Sequence, residues 1–449
     1  MIRDVRGREY TNSIYGVADY LALPIGMVLA APFLLQHLGA AQYGVWILAS
    51  ATVSSGGIIS GSFGDAVIKH VGECRGREDW PGVVRIVRNM ISINLTLSGA
   101  LAVVLWYLAP YITRHVLKLD FELRAASLEA LRIGSVLLLV KSIDGVFVNT
   151  LRAFETYEST VRVAICSRVA ALASAIALAY YGHSVAWIMF ATLMTSTLGM
   201  LAQAMALQAK IGRFSLLPSW HGKTVSGMAV FGTFSWLQAI ASVAFSQADR
   251  FFVGFFMGAP AVAYYGLCVQ AAQPIHGLIS SGMHFLFPHL SARYSVAPIV
   301  EIRRKVALAI KVNIILVGIL SLPAVVIGRH LLTGWIGTTL GKQLPSIFPI
   351  IVCSFALLGM NVTAHYVLLA IGQVKIVTYL NLLAGITTLL LMVVSIHSHG
   401  LQGAALARLV YGPITCLSYL YVYRNIWREA SHSSLPQSPI CTLMAAKTE

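Results

Sequence analysis

The chain has 449 residues, 57% of them hydrophobic and only 11% charged, and a mean hydropathy of +0.76. A soluble domain carries about 25% charged and roughly 45–50% apolar residues, so a soluble enzyme, a disordered scaffold and a secreted disulfide module are excluded, and a polytopic membrane protein remains. Lys and Arg outnumber Asp and Glu by 32 to 17, giving +15, an excess that in this setting fits a membrane surface or an anionic substrate better than nucleic acid. The six cysteines show no CxxC spacing, so neither a metal site nor a disulfide framework is expected, and no cofactor is implied.

A helix needs about twenty predominantly apolar residues to cross the hydrocarbon core. Twelve such stretches are predicted, near 13–37, 43–68, 89–111, 131–151, 160–181, 184–207, 226–257, 264–287, 306–328, 347–371, 376–397 and 401–423. The first follows Arg3, Arg6 and Arg8 and is too long for a signal-peptide core, so it reads as a retained span. The gaps carry turn signals such as Gly39-Ala40-Ala41-Gln42, Gly182-His183 and Gly372-Gln373. Helices are required because an open sheet leaves backbone groups unsatisfied in lipid, and a barrel would need short alternating segments. From 429 to 449 the chain turns polar, with Ser431-His432-Ser433-Ser434 and Pro436-Gln437-Ser438-Pro439, and reads as a disordered tail.

Basic residues set the orientation. With the N-terminus in the cytosol, 21 Lys and Arg fall in cytosolic segments and five (Arg114, Lys118, Arg124, Arg329, Lys342) in external gaps. Both termini are then cytosolic, and most of the +15 is topological. The polar segment 210–224, which includes Lys210, Arg213 and Lys223, divides the chain into a six-helix lobe at 1–209 and another at 225–428.

The halves echo one another. Leu38-Gly39-Ala40-Ala41-Gln42-Tyr43-Gly44-Val45-Trp46 joins the first two spans, and Met257-Gly258-Ala259-Pro260-Ala261-Val262-Ala263-Tyr264-Tyr265-Gly266-Leu267 joins the seventh and eighth. Each runs apolar residue, Gly-Ala, spacer, Tyr-Gly, then a new apolar helix, the pattern of a duplicated lobe. Secondary transporters commonly place a site between such repeats. These residues, with Phe63-Gly64-Asp65-Ala66-Val67-Ile68-Lys69, Gln247-Ala248-Asp249-Arg250-Phe251-Phe252-Val253-Gly254 and Phe287-Pro288-His289-Leu290-Ser291, resemble the polysaccharide transporters of the multidrug/oligosaccharidyl-lipid/polysaccharide exporter superfamily, in particular the Wzx-type O-antigen flippases. The resemblance implies an all-α polytopic membrane protein with twelve transmembrane helices in two pseudo-symmetric six-helix lobes around a central cavity. It also implies alternating access that moves undecaprenyl-diphosphate-linked glycans outward across the bacterial inner membrane, for O-antigen, exopolysaccharide or capsule.

Six basic residues lie within predicted spans: Arg132, Lys141, Arg168, Arg250, Lys311 and Arg408, with Asp19, Asp65, Asp144 and Asp249 as acidic companions. A charge at mid-bilayer costs roughly 2.5–3.5 kcal/mol on insertion scales, so these groups imply internal pairing or a hydrated cavity. Lys141 and Asp144 are three apart and can meet on one helix face, forming either a self-neutralising pair or part of a site. Asp249 and Arg250 are adjacent and point in different directions, so one can pair with another helix while the other faces a cavity. Arg408 reads as a substrate contact or as the partner of an acid such as Asp249. Arg132, Arg168 and Lys311 lie near span ends, where snorkelling to headgroups is the default. Asp19 shares its span with Pro24 and Pro32 and reads as a proton or cation site or a packing acid. The substrate-binding candidates are therefore Arg250, Arg408 and Lys141, and the ion-coupling candidates Asp19, Asp249 and Asp144. Arg suits a diphosphate because its planar fork bonds phosphate oxygens in pairs.

Other motifs read as structural. The sequons at Asn94 and Asn361 fall inside spans, Gly57 and Gly61 form a GxxxG packing pattern, and the thirteen histidines lack metal-ligand spacing. His284 and His289 read as interfacial. The expected function is a lipid-linked oligosaccharide flippase, not an enzyme. Its partners would be the glycan carrier, membrane lipids and other polysaccharide-assembly membrane proteins. The alternatives are a cation-coupled multidrug exporter, which should prefer acidic cavity groups, and a polysaccharide polymerase, which should carry larger external loops.

Overall fold

In the computed structural model the described residues are 26–27, 29–54, 64–154, 157–212, 214–220, 247–283, 286–287, 290, 294, 298–336 and 344–428. They form helices joined by short turns, with no strand among the described residues. The chain groups into two compact units, residues 1–271 and 272–449.

The first unit contains α1 (29–54), α2 (Gly64–Gly76), α3 (Trp80–Tyr111), α4 (Phe121–Ala153), α5 (Tyr157–Tyr180), α6 (Val185–Ile211) and α7 (247–257), and it takes in the first half of α8 (Ala259–Met283). α3 begins where Asp79 Oδ1 accepts the amide of Gly82 at 2.9 Å, with Pro81 in the first turn, the arrangement that satisfies an orphan N–H at a helix start. α4 packs against α2, α3 and α6, and α6 packs against α5. The apolar seam of α2, α3, α4 and α6 includes Val71, Val87, Met90, Phe147, Leu151 and Leu207.

The second unit holds the rest of α8, α9 (Ile299–Ile336), α10 (Leu344–Ala370), α11 (Val374–Leu409), α12 (Tyr411–Cys416) and α13 (Ser418–Tyr423). α11 is two helical limbs meeting at Gly400, whose φ of 56° is open to glycine. This bend falls between the predicted spans 376–397 and 401–423.

Six stretches among the described residues are long and apolar enough to cross a membrane: Trp80–Val116, Glu158–Tyr180, Val185–Ile211, Ile299–Gly328, Leu344–Ala370 and Val374–Arg428. Their outer faces display large side chains such as Leu198 and Leu390, 66% and 64% exposed, as expected where lipid replaces water. Polar side chains inside tie helices together. In the first unit Ser98 Oγ donates to Ser142 Oγ at 2.5 Å, and Ser142 Oγ donates to Asn94 Oδ1 at 3.2 Å, joining α3 to α4. In the second, Asn313 of α9 donates to the Gly359 and Met360 carbonyls of α10, and Ser418 Oγ donates to Asn361 Oδ1. Both sequon asparagines, Asn94 and Asn361, are thus buried interhelix ties.

Some basic residues counted toward topology also close helix ends. Arg75 donates to the Ala153 carbonyl at 3.0 Å at the end of α4, and Arg303 donates to the carbonyls of Ile426 and Trp427, where a cation offsets the negative end of the helix dipole. In the 210–224 segment, Arg88 Nε and Ser92 Oγ of α3 hold the carbonyls of Leu217 and Ser219, each at 2.8 Å. Asp19, Gly57, Gly61, His284, His289 and the tail 429–449 lie outside the described residues.

α1 passes α8 at backbone distance: a Cβ on Gly44 would overlap the Ala259 carbonyl. Gly44→Ala is expected to cost about 1–3 kcal/mol by overpacking, read as a lower thermal midpoint in detergent. Gly72→Ala, where an added Cβ meets nothing within 4 Å, should be neutral or slightly stabilising.

Candidate functional site

One face of α4 presents Lys141, Asp144, Gly145, Val148, Asn149 and Arg152 along a single stripe, as helical spacing dictates. Opposite it stand Thr160, Ser167 and Arg168 of α5, Gly199 and Gln203 of α6, and Gly64 and Ile68 of α2. Together they enclose a cavity of about 330 Å³ within the first unit. Its charge is uneven, with Lys141, Arg152 and Arg168 set against Asp144.

Two side-chain bonds hold the wall. Gln203 Nε2 donates to the Thr160 carbonyl at 2.9 Å, and Ser167 Oγ donates to the Thr195 carbonyl at 2.9 Å, joining α5 to α6. Two acceptors remain: Asp144 Oδ1 and Gln203 Oε1 are buried with no hydrogen-bond partner among the described residues. A buried polar atom left unbonded costs roughly 1–3 kcal/mol, so both are poised for a donor such as a hydroxyl. Asp144 feels the charges of both Lys141 and Arg168. The i, i+3 spacing does bring Lys141 and Asp144 onto one face, but that face is shared with Arg152 at the end of α4 and looks onto Arg168 from the middle of α5.

The remaining candidates lie elsewhere. Arg250 is 7% exposed, and its Nη1 donates to Gln247 Oε1 at 2.6 Å. Asp249 Oδ2 accepts from Tyr265 Oη on the next helix at 3.0 Å. Neither residue lines the cavity of α4, α5 and α6. Arg408 belongs to the second unit, with its guanidinium carbon 4.6 Å above the Phe355 ring, a cation–π contact. His276 of α8 and His365 of α10 are close by, His276 being within electrostatic reach of both His365 and Arg408. Arg132 lies over the Trp106 ring at 5.1 Å, so an aromatic face in α3 holds a cation for which snorkelling was the expectation.

Sequence reasoning missed three members of the cavity. Arg152 counted as a loop cation, Arg168 as a headgroup cation, and Gln203 drew no attention. The spacing of Lys141, Gly145, Val148 and Arg152 was a readable signal, since it draws one stripe down α4 in which small and charged residues replace bulky apolar ones.

This is an all-α polytopic membrane protein, and its fold is that of known exporters. It matches a multidrug resistance MATE family transporter of the MOP superfamily in an inward-facing conformation, with TM-score 0.70 and 16% identity, over 94% of this chain and 96% of that one. It matches the lipid II flippase MurJ in an inward closed conformation, with TM-score 0.75 and 13% identity, over 92% and 87%. It also matches the eukaryotic MATE transporter AtDTX14, with TM-score 0.62 and 11% identity, over 93% and 98%. The likeness establishes the fold class, twelve transmembrane helices in two six-helix lobes. The chain belongs to the polysaccharide biosynthesis protein family, whose profile matches residues 86–349. No curated protein sequence matches it.

Gly64 sets the spacing of α2 on the cavity wall, because a Cβ there would meet Asn149 Nδ2 at 2.5 Å. That atom is the end of a flexible side chain, so Gly64→Ala should leave thermal stability within about 1 kcal/mol of wild type. It should nevertheless push the Asn149 amide into the cavity and lower transport several-fold, measured in reconstituted vesicles.

Proposed function

We propose that this chain is a flippase that carries undecaprenyl-diphosphate-linked oligosaccharide units across the bacterial inner membrane, with both termini cytosolic, for assembly of O-antigen, exopolysaccharide or capsule. It is a transporter, not an enzyme, and works by alternating access. The observation that carries this reading is the composition of the cavity in the first unit. Lys141, Arg152 and Arg168 supply three cations, and the unbonded acceptors Asp144 Oδ1 and Gln203 Oε1 await hydroxyl donors. A lipid-linked glycan offers both: phosphate oxygens for the arginine forks and sugar hydroxyls for the acceptors. At about 330 Å³ the space suits the diphosphate and the first sugar, since ligand pockets usually run from roughly 300 to 1,000 Å³. Membership in a polysaccharide biosynthesis family supports the same substrate class.

The exporter reading draws on the MATE neighbours and on Asp144 as a buried carboxylate. Among the described lining residues, however, an organic cation would meet three like charges and one opposite. The flippase reading therefore takes precedence, with Lys141 and Arg168 as phosphate contacts and Asp144 as the ion-coupling candidate.

The test is translocation of a labelled undecaprenyl-diphosphate glycan in proteoliposomes. Wild type should give protein-dependent transfer, with Arg168→Ala and Lys141→Ala each lowering the rate by about tenfold or more. That loss corresponds to a charge-assisted hydrogen bond of roughly 1.5–3 kcal/mol. Inorganic pyrophosphate should compete, and lipophilic cations should not. Competition by the cations alone would favour the exporter.

A further inference from the structure

The repeated Tyr-Gly motif meets itself. In the first unit α1 and the start of α8 cross so closely that a Cβ on Gly44 would overlap the Ala259 carbonyl, and one on Gly266 would lie 2.7 Å from Ile47 Cγ2. Each half contributes its glycine to the contact, and each glycine follows a tyrosine. Tyr43 and Tyr265 are both completely buried. The two halves thus contribute alike, each giving a glycine and a buried tyrosine to the seam.

The polar groups that serve the seam do not share this symmetry. Asp249 and Arg250 stand nine and eight positions before the bend at Gly258. The same count back from the bend at Gly39 reaches Ala30 and Ala31, both buried and apolar. One charged pair therefore faces two tyrosines. Asp249 Oδ2 takes the Tyr265 hydroxyl at 3.0 Å, and Asp249 Oδ1 takes the Arg250 amide at 2.8 Å. Arg250 Nη1 rests on Gln247 Oε1 at 2.6 Å. The Tyr43 hydroxyl is buried with no hydrogen-bond partner, yet lies within electrostatic reach of Arg250.

A buried hydroxyl without a partner is uncommon in a native interior, and here it stands at a close helix crossing whose other helix follows the Asp249–Arg250 pair. Tyr43→Phe would remove it at no cost in volume. We propose that Tyr43 is the second seat of a two-position switch: the Asp249–Arg250 pair engages Tyr265 in the conformation described here and Tyr43 in the alternative one. The glycines suit such an exchange, because two smooth backbone surfaces can slide where interlocked side chains would not. In this assignment Arg250 controls the seam and does not hold substrate. In the proposed exchange the pair leaves the Tyr265 hydroxyl as it moves to that of Tyr43.

The test needs no substrate, so its outcome is separate from that of the flippase reading. Ala259, Ala263 and Gly266 share one face of α8, and Ala263 is completely buried. With the six native cysteines replaced by alanine, the maleimide reaction rate of Ala263→Cys in detergent reports how often the seam opens. Tyr265→Phe should raise that rate at least threefold, and Tyr43→Phe should lower it at least fivefold. The Tyr43→Phe effect should shrink below twofold when Arg250→Gln is also present, because the coupling between a residue and its partner disappears with the partner. Asp249→Asn replaces Arg250→Gln where the latter gives no folded protein. Equal Tyr43→Phe effects with and without Arg250 would reduce Tyr43 to a packing defect and overturn the switch. A Tyr43→Phe rate equal to wild type, or both phenylalanine variants moving the rate in one direction, would overturn it as well.

Discussion

Charge has nowhere cheap to go in this molecule, and most of its polar architecture follows from that. In hydrocarbon an ionised side chain loses its water and must find protein groups or a wet recess in exchange. The interior cations take several such routes. Arg132 and Arg408 lie on aromatic faces, Arg250 is bonded to a glutamine one turn away, and Lys141, Arg152 and Arg168 gather around a shared space with Asp144. Only the last arrangement concentrates positive charge where something else could enter.

Much of this was legible in the sequence, though unevenly. Helices were legible because lipid allows little else, and the bend at Gly400 falls in the gap expected between two apolar runs. The echo of the two Tyr-Gly segments was visible as spelling, but not as contact: nothing in the letters says that Gly44 would lie against Ala259. The cavity was half visible. Lys141 and Asp144 stand out as charges within an apolar run, whereas Arg152 reads as a cytosolic-loop cation and Arg168 as a headgroup cation near a span end. Their meeting depends on α5 standing beside α4, so that residues of both helices share one space. Periodicity gives the face of a helix but not its neighbour. Gln203 was silent for the same reason, being one of several amides in an apolar helix until its Thr160 contact placed it.

Both units use two kinds of polar tie. Side chains bond to side chains in the chain from Ser98 through Ser142 to Asn94 and between Ser418 and Asn361. Side chains reach carbonyls of a neighbouring helix at Thr160 and Thr195 in the first unit and at Gly359 and Met360 in the second. A side-chain tie can be lost by one substitution on either helix. A tie to a carbonyl survives any change on the accepting helix that preserves its course.

α4 carries two obligations on neighbouring residues. Ser142 fastens the helix to α3, while Lys141 and Asp144 face the cavity. A rotation that carried the charges out of the cavity would also break the serine tie, so the helix is keyed in azimuth. The floor of the cavity is therefore fixed by the fold, and its adjustable parts are the small and neutral residues of α5 and α6. A lineage changing its cargo could vary Thr160, Ser167, Gly199 or Gln203 and leave the electrostatic foundation standing.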